Sequence, residues 1–198
     1  MFERQIFRPL SNLALAGTVF LLAALYPIEP LIRQNWLGFA AATAVSATAV
    51  ALSWIAFVRP KLIIDDVKIT IVNPFRTVVI PYGKIEIIDS KYSLVITTEN
   101  GKFSCWVAPA PSRYGGRGVI KADIRNLPIT SGQDSQIRAS DSPKSHSGQA
   151  AVLVRMAVET FNRAAVNSDD KVTQHFNVVG ATLTLALLLS AVALQLVH

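Results

Sequence analysis

The 198-residue sequence predicts an α+β membrane protein, in which transmembrane helices carry a small antiparallel β domain with a C-terminal helix. The first observation is three long stretches without a charged residue: Leu10 to Ile28, Trp36 to Val58 and Phe176 to Val197. An α-helix rises about 1.5 Å per residue, so about 20 apolar residues cross a hydrocarbon core. The second observation is a series of short alternating segments and turn residues before the third stretch, which is typical of β structure.

Residues 1–58 are expected to form a two-helix transmembrane hairpin. Tryptophans lie near both ends of its second span, at Trp36 and Trp54, and indole rings favour the membrane interface. For the first apolar stretch a signal peptide is the alternative, although such a peptide has a shorter apolar core and is followed by mature sequence. Here a second span follows almost at once, which favours an uncleaved anchor.

The basic residues beside the spans predict their orientation, because Lys and Arg near span ends are retained on the cytoplasmic side. Arg4 and Arg8 precede the first span, and Arg59 and Lys61 follow the second, whereas the connector between the spans contains only Arg33. We therefore expect a multi-pass protein of the inner (plasma) membrane. Its N-terminus and middle domain are cytoplasmic, and its C-terminus is outside.

Short strands are expected to follow the second span. They are predicted at Lys61 to Asp65, Val67 to Asn73, Arg76 to Ile80 and Lys84 to Ser90, with two more flanking Asn100-Gly101. Asn73-Pro74-Phe75-Arg76 predicts a turn, because Asn is favoured at its first position and Pro fixes φ at its second. Gly118 to Ile124 adds a strand or one to two helical turns. About seven strands in so short a segment indicate an antiparallel barrel or sandwich.

Asn100-Gly101 predicts a β-hairpin with a two-residue type I′ turn. Glu99 would then pair with Lys102, and the following pairs would be Thr98 with Phe103, Ile96 with Cys105 and Leu94 with Val107. This places the single cysteine on the apolar face, where a structural role is expected. Val95 and Trp106 fall on the opposite face, and we expect the large Trp106 side chain to be covered by a helix, a membrane surface or a partner.

The β segment resembles the bacterial pleckstrin-homology (PH)-like domain of small actinobacterial membrane proteins, the low-molecular-weight protein antigen family. The motifs that carry the resemblance are Arg59-Pro60, Asn73-Pro74-Phe75-Arg76 with the strand ending at Pro81-Tyr82, and Asn100-Gly101-Lys102 with Cys105-Trp106-Val107. The match covers about residues 59 to 126 and the two spans before them. It implies a PH-like domain over 59–127, with seven strands in two roughly orthogonal sheets and a closing C-terminal helix. Tyr82 stands where Trp is more usual, and the third span lies beyond the common domain.

The remainder of the chain divides into three segments. Residues 128–149 are rich in Ser with few large apolar side chains, which predicts a disordered linker. Residues 150–167 are expected to form an amphipathic helix that either caps the barrel or lies on the membrane, with an apolar face of Leu153, Met156, Ala157, Phe161 and Ala164. Residues 176–197 are expected to form the third transmembrane helix.

The basic character of the chain predicts contact with anionic lipid. The net charge is +6, and a loop between the last hairpin and the linker carries Arg113, Arg117, Lys121 and Arg125. Arg suits bidentate contact with phosphate, so this loop is our candidate phospholipid-binding site, by general electrostatic attraction or by recognition of a headgroup. Simple solubility is the alternative. No basic aromatic stripe accompanies the charge, and no nucleic-acid partner is predicted.

Small residues recur on two faces of the second span. They are Gly38, Ala42 and Ser46 on one face and Ala40, Ala44 and Thr48 on the other. Such residues permit close helix approach. One face is explained by the protein's own spans, and the other predicts contact with a second copy or another membrane protein.

The sequence contains no recognisable catalytic or metal-binding set. His146, His175 and His198 lie in the linker, at a membrane boundary and at the terminus, and no nucleophile or carboxylate is spaced to act with them. No cofactor is predicted. We expect a membrane-anchored PH-like binding or assembly module without catalysis of its own. The alternatives are an accessory subunit of a membrane enzyme or transporter, or a module that binds phospholipid headgroups.

Overall fold

A computed structural model describes residues 4–90, 92–109, 146–164 and 170–197. The elements in chain order are β1 Gln5–Phe7, α1 Leu10–Leu25, α2 Ile28–Ile32, α3 Trp36–Ser53, β2 Lys61–Ile64, β3 Lys68–Val72, β4 Arg76–Pro81, β5 Ile87–Asp89, β6 Ser93–Thr98, β7 Gly101–Pro109, α4 His146–Arg163, β8 Thr173–Phe176 and α5 Val178–Val197. The chain divides into two units. The β unit draws on Met1–Pro9, Lys61–Asn73 and Thr77–His175, and the helical unit on Leu10–Pro60, Pro74–Arg76 and Phe176–His198.

The three predicted apolar helices are present in the helical unit. Leu10–Ile32, Trp36–Val58 and Val178–Leu196 are long and apolar enough to cross a membrane. The first comprises α1 and α2, because the chain turns at Tyr26-Pro27. The second continues from α3 through a π-helical turn at Trp54–Val58. α3 packs against both α1 and α5.

Asparagine caps the start of both α3 and α5. Asn35 Oδ1 accepts a hydrogen bond from the Gly38 N–H (2.9 Å), and Asn177 Oδ1 accepts one from the Gly180 N–H (3.2 Å). The first turn of a helix leaves its N–H groups without partners in the helix, and each cap supplies one acceptor. A Cβ at Gly180 would overlap the Asn177 amide. The Asn-x-x-Gly spacing before two apolar runs is a sequence signal of these helix starts.

The β unit contains two antiparallel sheets. The larger has the strand order β1-β2-β3-β4-β8 and the smaller β5-β6-β7. In the larger sheet β1 pairs with β2, with Gln5 opposite Ile64 and Phe7 opposite Leu62. Neither β1 nor β8 was predicted, because neither Gln5–Phe7 nor Thr173–Phe176 shows a strand-like run of apolar residues or an alternation of apolar and polar ones. Each of these two strands directly precedes an apolar helix.

The two sheets and α4 share one apolar core. Its buried members are Leu62, Ile64, Ile69, Ile71, Val78, Ile80, Tyr82, Leu94, Ile96, Phe103, Cys105, Val107 and Ala108 from the sheets and their connections, and Ala150, Ala151, Val154, Ala157 and Phe161 from α4. Along β3 the side chains alternate as predicted, with Ile69 and Ile71 buried and Lys68 exposed. The four residues Asn73 to Arg76 lie between the paired Val72 and Thr77, where the turn was predicted.

The predicted register of the β6–β7 hairpin is wrong. Thr98 lies opposite Gly101 rather than Phe103, and Leu94 lies opposite Cys105 rather than Val107. The turn forms one residue earlier because the Thr98 hydroxyl accepts a hydrogen bond from the Asn100 N–H (3.2 Å) and donates one to the Gly101 carbonyl (3.3 Å). Gly101 has a φ of +124°, whereas Asn100 does not have the positive φ that a type I′ turn requires.

The amphipathic helix also differs from its prediction. α4 begins at His146, inside the segment expected to be a disordered linker, and ends at Arg163. Its buried residues pack on the β core, as expected for a cap. Met156 and Ala164, however, are exposed rather than on the apolar face. The predicted strand or helical turn at Gly118 to Ile124 lies outside the described residues, as does most of the linker.

The β1–β2 pairing can be tested by a disulfide. Ile6 lies directly opposite Ile63, and directly opposed residues in antiparallel strands have Cα atoms about 4.5 to 5.5 Å apart, within the range that a disulfide spans. We expect the Ile6→Cys/Ile63→Cys double variant of the full chain to cross-link on mild oxidation, seen as a mobility shift reversed by a reductant.

Ile6→Cys combined with Thr70→Cys is the matched control. Thr70 on β3 lies opposite Ile63 and is therefore one strand farther from Ile6. It is expected not to cross-link. Equal cross-linking in both pairs, or in neither, would contradict the described pairing.

Candidate functional site

The predicted partner surface lies on the outer face of the smaller sheet. Trp106 is 56% exposed and Val95 is half-buried on the same face. Ile87, on the neighbouring strand, is also exposed. This face therefore presents a large aromatic side chain with aliphatic neighbours, and we call Ile87, Val95 and Trp106 the outer patch. Arg113, Arg117, Lys121 and Arg125 lie outside the described residues, and their role in phosphate binding stays a prediction.

Asn73 fixes the backbone that carries Trp106. Its side-chain Nδ2 donates a hydrogen bond to the Ser104 carbonyl (2.8 Å), and its Oδ1 accepts one from the Trp106 N–H (2.9 Å). One amide thus pairs with β7 as a neighbouring strand would, and it links the larger sheet to the smaller one. By its residue type Asn73 was predicted only at the first position of a turn, because contacts between distant strands leave no local signal.

Two titratable side chains are buried in the β core. Cys105 has no exposed surface, and burial raises the pKa of its thiol to about 12. The Tyr82 hydroxyl donates to the Asp65 carbonyl (2.6 Å), and the Tyr82 ring lies 5.5 Å from the ring of Phe161 on α4. Burial raises the pKa of Tyr82, and the charges of Asp65 and Asp66 raise it further. Both groups therefore stay protonated at neutral pH, which fits a structural role for each.

The described residues place no metal-binding group together. Among them, no three or more His, Cys, Asp or Glu side chains converge closely enough to hold a metal ion. The His146 ring instead packs edge-on against Phe7 of β1, with 6.4 Å between the ring centres.

The small residues of α3 have different surroundings. Gly38, Ala42, Ser46 and Thr48 are buried, Ala44 is half-buried and Ala40 is exposed. An open groove of about 430 Å³ lies between α3 and α5; its lining residues are Val45, Thr48, Ala49, Leu52, Leu188, Ala191, Val192, Gln195 and Leu196.

The turn between β3 and β4 is bound to the ends of two apolar helices. The Arg59 guanidinium donates a hydrogen bond through Nη1 to the Pro74 carbonyl (2.6 Å). The Asn177 N–H donates one to the Phe75 carbonyl (2.8 Å). Arg59 directly follows the second apolar span, and burial lowers the pKa of its guanidinium. The Phe75 side chain is 50% exposed. The turn is therefore held through two of its own backbone carbonyls, while its Phe75 side chain is exposed.

Comparison of the chain with models of known protein families, with curated proteins and with solved structures finds no match.

Removal of the Asn73 side chain should loosen the β unit around Cys105. Asn73→Ala loses two hydrogen bonds to β7, so we expect local opening to become easier by about 1 to 2 kcal/mol, which corresponds to about a 5- to 30-fold faster modification of Cys105 by a thiol reagent. The modification rate of the full chain in detergent is the measurement.

Asn100→Ala provides the control, since Asn100 is an exposed asparagine in another turn. Its modification rate should remain close to that of the unsubstituted chain. The assignment would fail if Asn73→Ala left the rate unchanged, or if both variants raised it equally.

Proposed function

We propose that this chain is a multi-pass protein of the cell (inner) membrane that holds a PH-like binding or assembly module at the cytoplasmic face. The observation that carries the proposal is the composition of the larger sheet. β1 precedes the first apolar helix, β2 follows the second, and β8 precedes the third. Strands that share a sheet must lie on the same side of a membrane. The chain would then cross the membrane three times. The helix ends that adjoin β1, β2 and β8 would all lie on the same side.

The basic residues support the cytoplasmic assignment of that side. Arg4 and Arg8 adjoin β1, and Arg59 and Lys61 lie where β2 begins. The connector at the other end of the hairpin contains Arg33, which forms an ion pair with Glu29. The excess of basic residues is thus at the strand-bearing ends, and this is the side that remains in the cytoplasm.

Two features of the β unit support a PH-like module. Two antiparallel sheets share a core, and α4 packs on that core through Val154, Ala157 and Phe161. The PH-like fold implied by the sequence motifs has two sheets and a closing C-terminal helix. Under this proposal β1 and β8 are additions that join the module to its membrane anchor, and the sheets form the barrel or sandwich of the family.

The outer patch supports a role in binding protein. Trp is enriched at protein interfaces, where a large rigid ring contributes much of the contact area. The Asn73 side chain holds the Trp106 backbone in place, so the ring is presented from a rigid strand. The proposed partner is a second copy of the chain or another membrane protein, such as a membrane enzyme or transporter to which this chain is an accessory.

Photo-cross-linking in native membranes tests this proposal. We expect a benzophenone amino acid in place of Trp106 in the full chain to form protein adducts that mass spectrometry identifies. The same amino acid in place of Tyr92, which is 76% exposed on the β unit, is the control and should form few.

A Trp106→Ser variant should lose the same partner on co-purification, while Cys105 remains protected from thiol reagents. Adducts with lipid alone would favour the headgroup-binding alternative. Equal protein adducts at both positions would contradict a specific surface.

A further inference from the structure

Three exposed aromatic side chains lie on one hydrogen-bonded part of the helical unit. They are Trp54 (55% exposed), Phe75 (50%) and Phe176 (68%), and we call them the aromatic collar. The Arg59 N–H donates to the Trp54 carbonyl (2.8 Å), and the Arg59 side chain donates to Pro74. On the other side Phe75 accepts from Asn177, the residue that follows Phe176. The three aromatic residues are therefore linked through backbone carbonyls and a single arginine.

The chain positions of these residues set the depth of the collar. Trp54 lies in the last turn of the candidate span Trp36–Val58, and Phe176 lies two residues before Val178–Leu196 begins. Span ends coincide with the interfacial layer of a bilayer. Because the Phe75 carbonyl accepts a hydrogen bond from the N–H of Asn177, the residue next to Phe176, the β3–β4 turn lies at this same level.

The chemistry of the collar matches that layer. Aromatic side chains at the interface place an apolar ring among the upper acyl chains, as Trp and Phe do on interfacial helices. Exposed aromatic rings in water would instead cost free energy through their hydration. Arg59, which donates to the Pro74 carbonyl, and Arg76, the last residue of the turn, supply positive charge at the level of anionic headgroups.

We propose that the β3–β4 turn is a membrane-inserting tip, with Phe75 embedded in the interfacial layer of an anionic phospholipid bilayer beside Trp54 and Phe176. This rests on the proposed function, in that the apolar helices must span the membrane. It goes further in giving the sheet a direct lipid contact of its own.

Depth-dependent quenching tests the proposal on the full chain in vesicles of phosphatidylcholine and phosphatidylglycerol. A fluorophore is attached to Phe75→Cys, and phospholipids carry a nitroxide either at the headgroup or at mid-chain. The buried Cys105 contributes only the background measured with the unsubstituted chain. Leu189→Cys, exposed on α5, reports whether the spans are inserted, and Tyr92→Cys provides an exposed position on the β unit.

We expect the label at Phe75 to be quenched several-fold more than that at Tyr92, and more by the headgroup nitroxide than by the mid-chain one. The label at Leu189 should show the opposite depth preference. Quenching at Phe75 no greater than at Tyr92, with Leu189 quenched from mid-chain, would overturn the inserted tip and leave the membrane-spanning proposal standing. Absence of quenching at Leu189 would overturn both. Protection of Cys105 in each variant confirms that the β unit is folded.

Discussion

The antiparallel pairing of β1 with β2 is the interaction on which the arrangement of this chain depends. It joins residues before the first apolar helix to residues after the second, so the helical hairpin between them has both ends in one sheet. β8 extends the same sheet on the far side of β4 and leads into α5. A sheet built this way cannot form unless all three strand-bearing ends are together. Formation of the larger sheet therefore constrains the path of the chain through the apolar helices.

The apolar helices were predictable because their signal is local. Uncharged runs of about 20 residues predict helices long and apolar enough to cross a membrane, and all three helices are present. The face on which Cys105 and Trp106 lie was also predicted correctly, although the hairpin register was wrong. The register error moves each partner by two residues, and side chains in a strand alternate with a period of two. The buried and exposed sets were therefore preserved.

What the sequence analysis missed depends on contacts between distant residues. β1 and β8 are strands only because an existing sheet offers them an edge, and nothing in their three and four residues indicates this. Asn73 was assigned to a turn by its residue type, yet its amide pairs with β7, 31 to 33 positions away. The early start of α4 has a related cause, since Ser147 and Gly148 become buried when the helix docks. A Ser- and Gly-containing sequence gives no such indication by itself.

The central claim is that β1, β2 and β8, the strands that adjoin the three apolar helices, lie on one side of the membrane. Cysteine accessibility in intact cells tests it most directly, with a membrane-impermeant maleimide and single substitutions at the exposed residues Gln5, Lys68, Thr173 and Gln34. The account predicts labelling of Gln34→Cys alone in intact cells, and labelling of the other three only after permeabilisation. Labelling of one or two of those three from outside would contradict it, because strands of one sheet would then be divided by the bilayer.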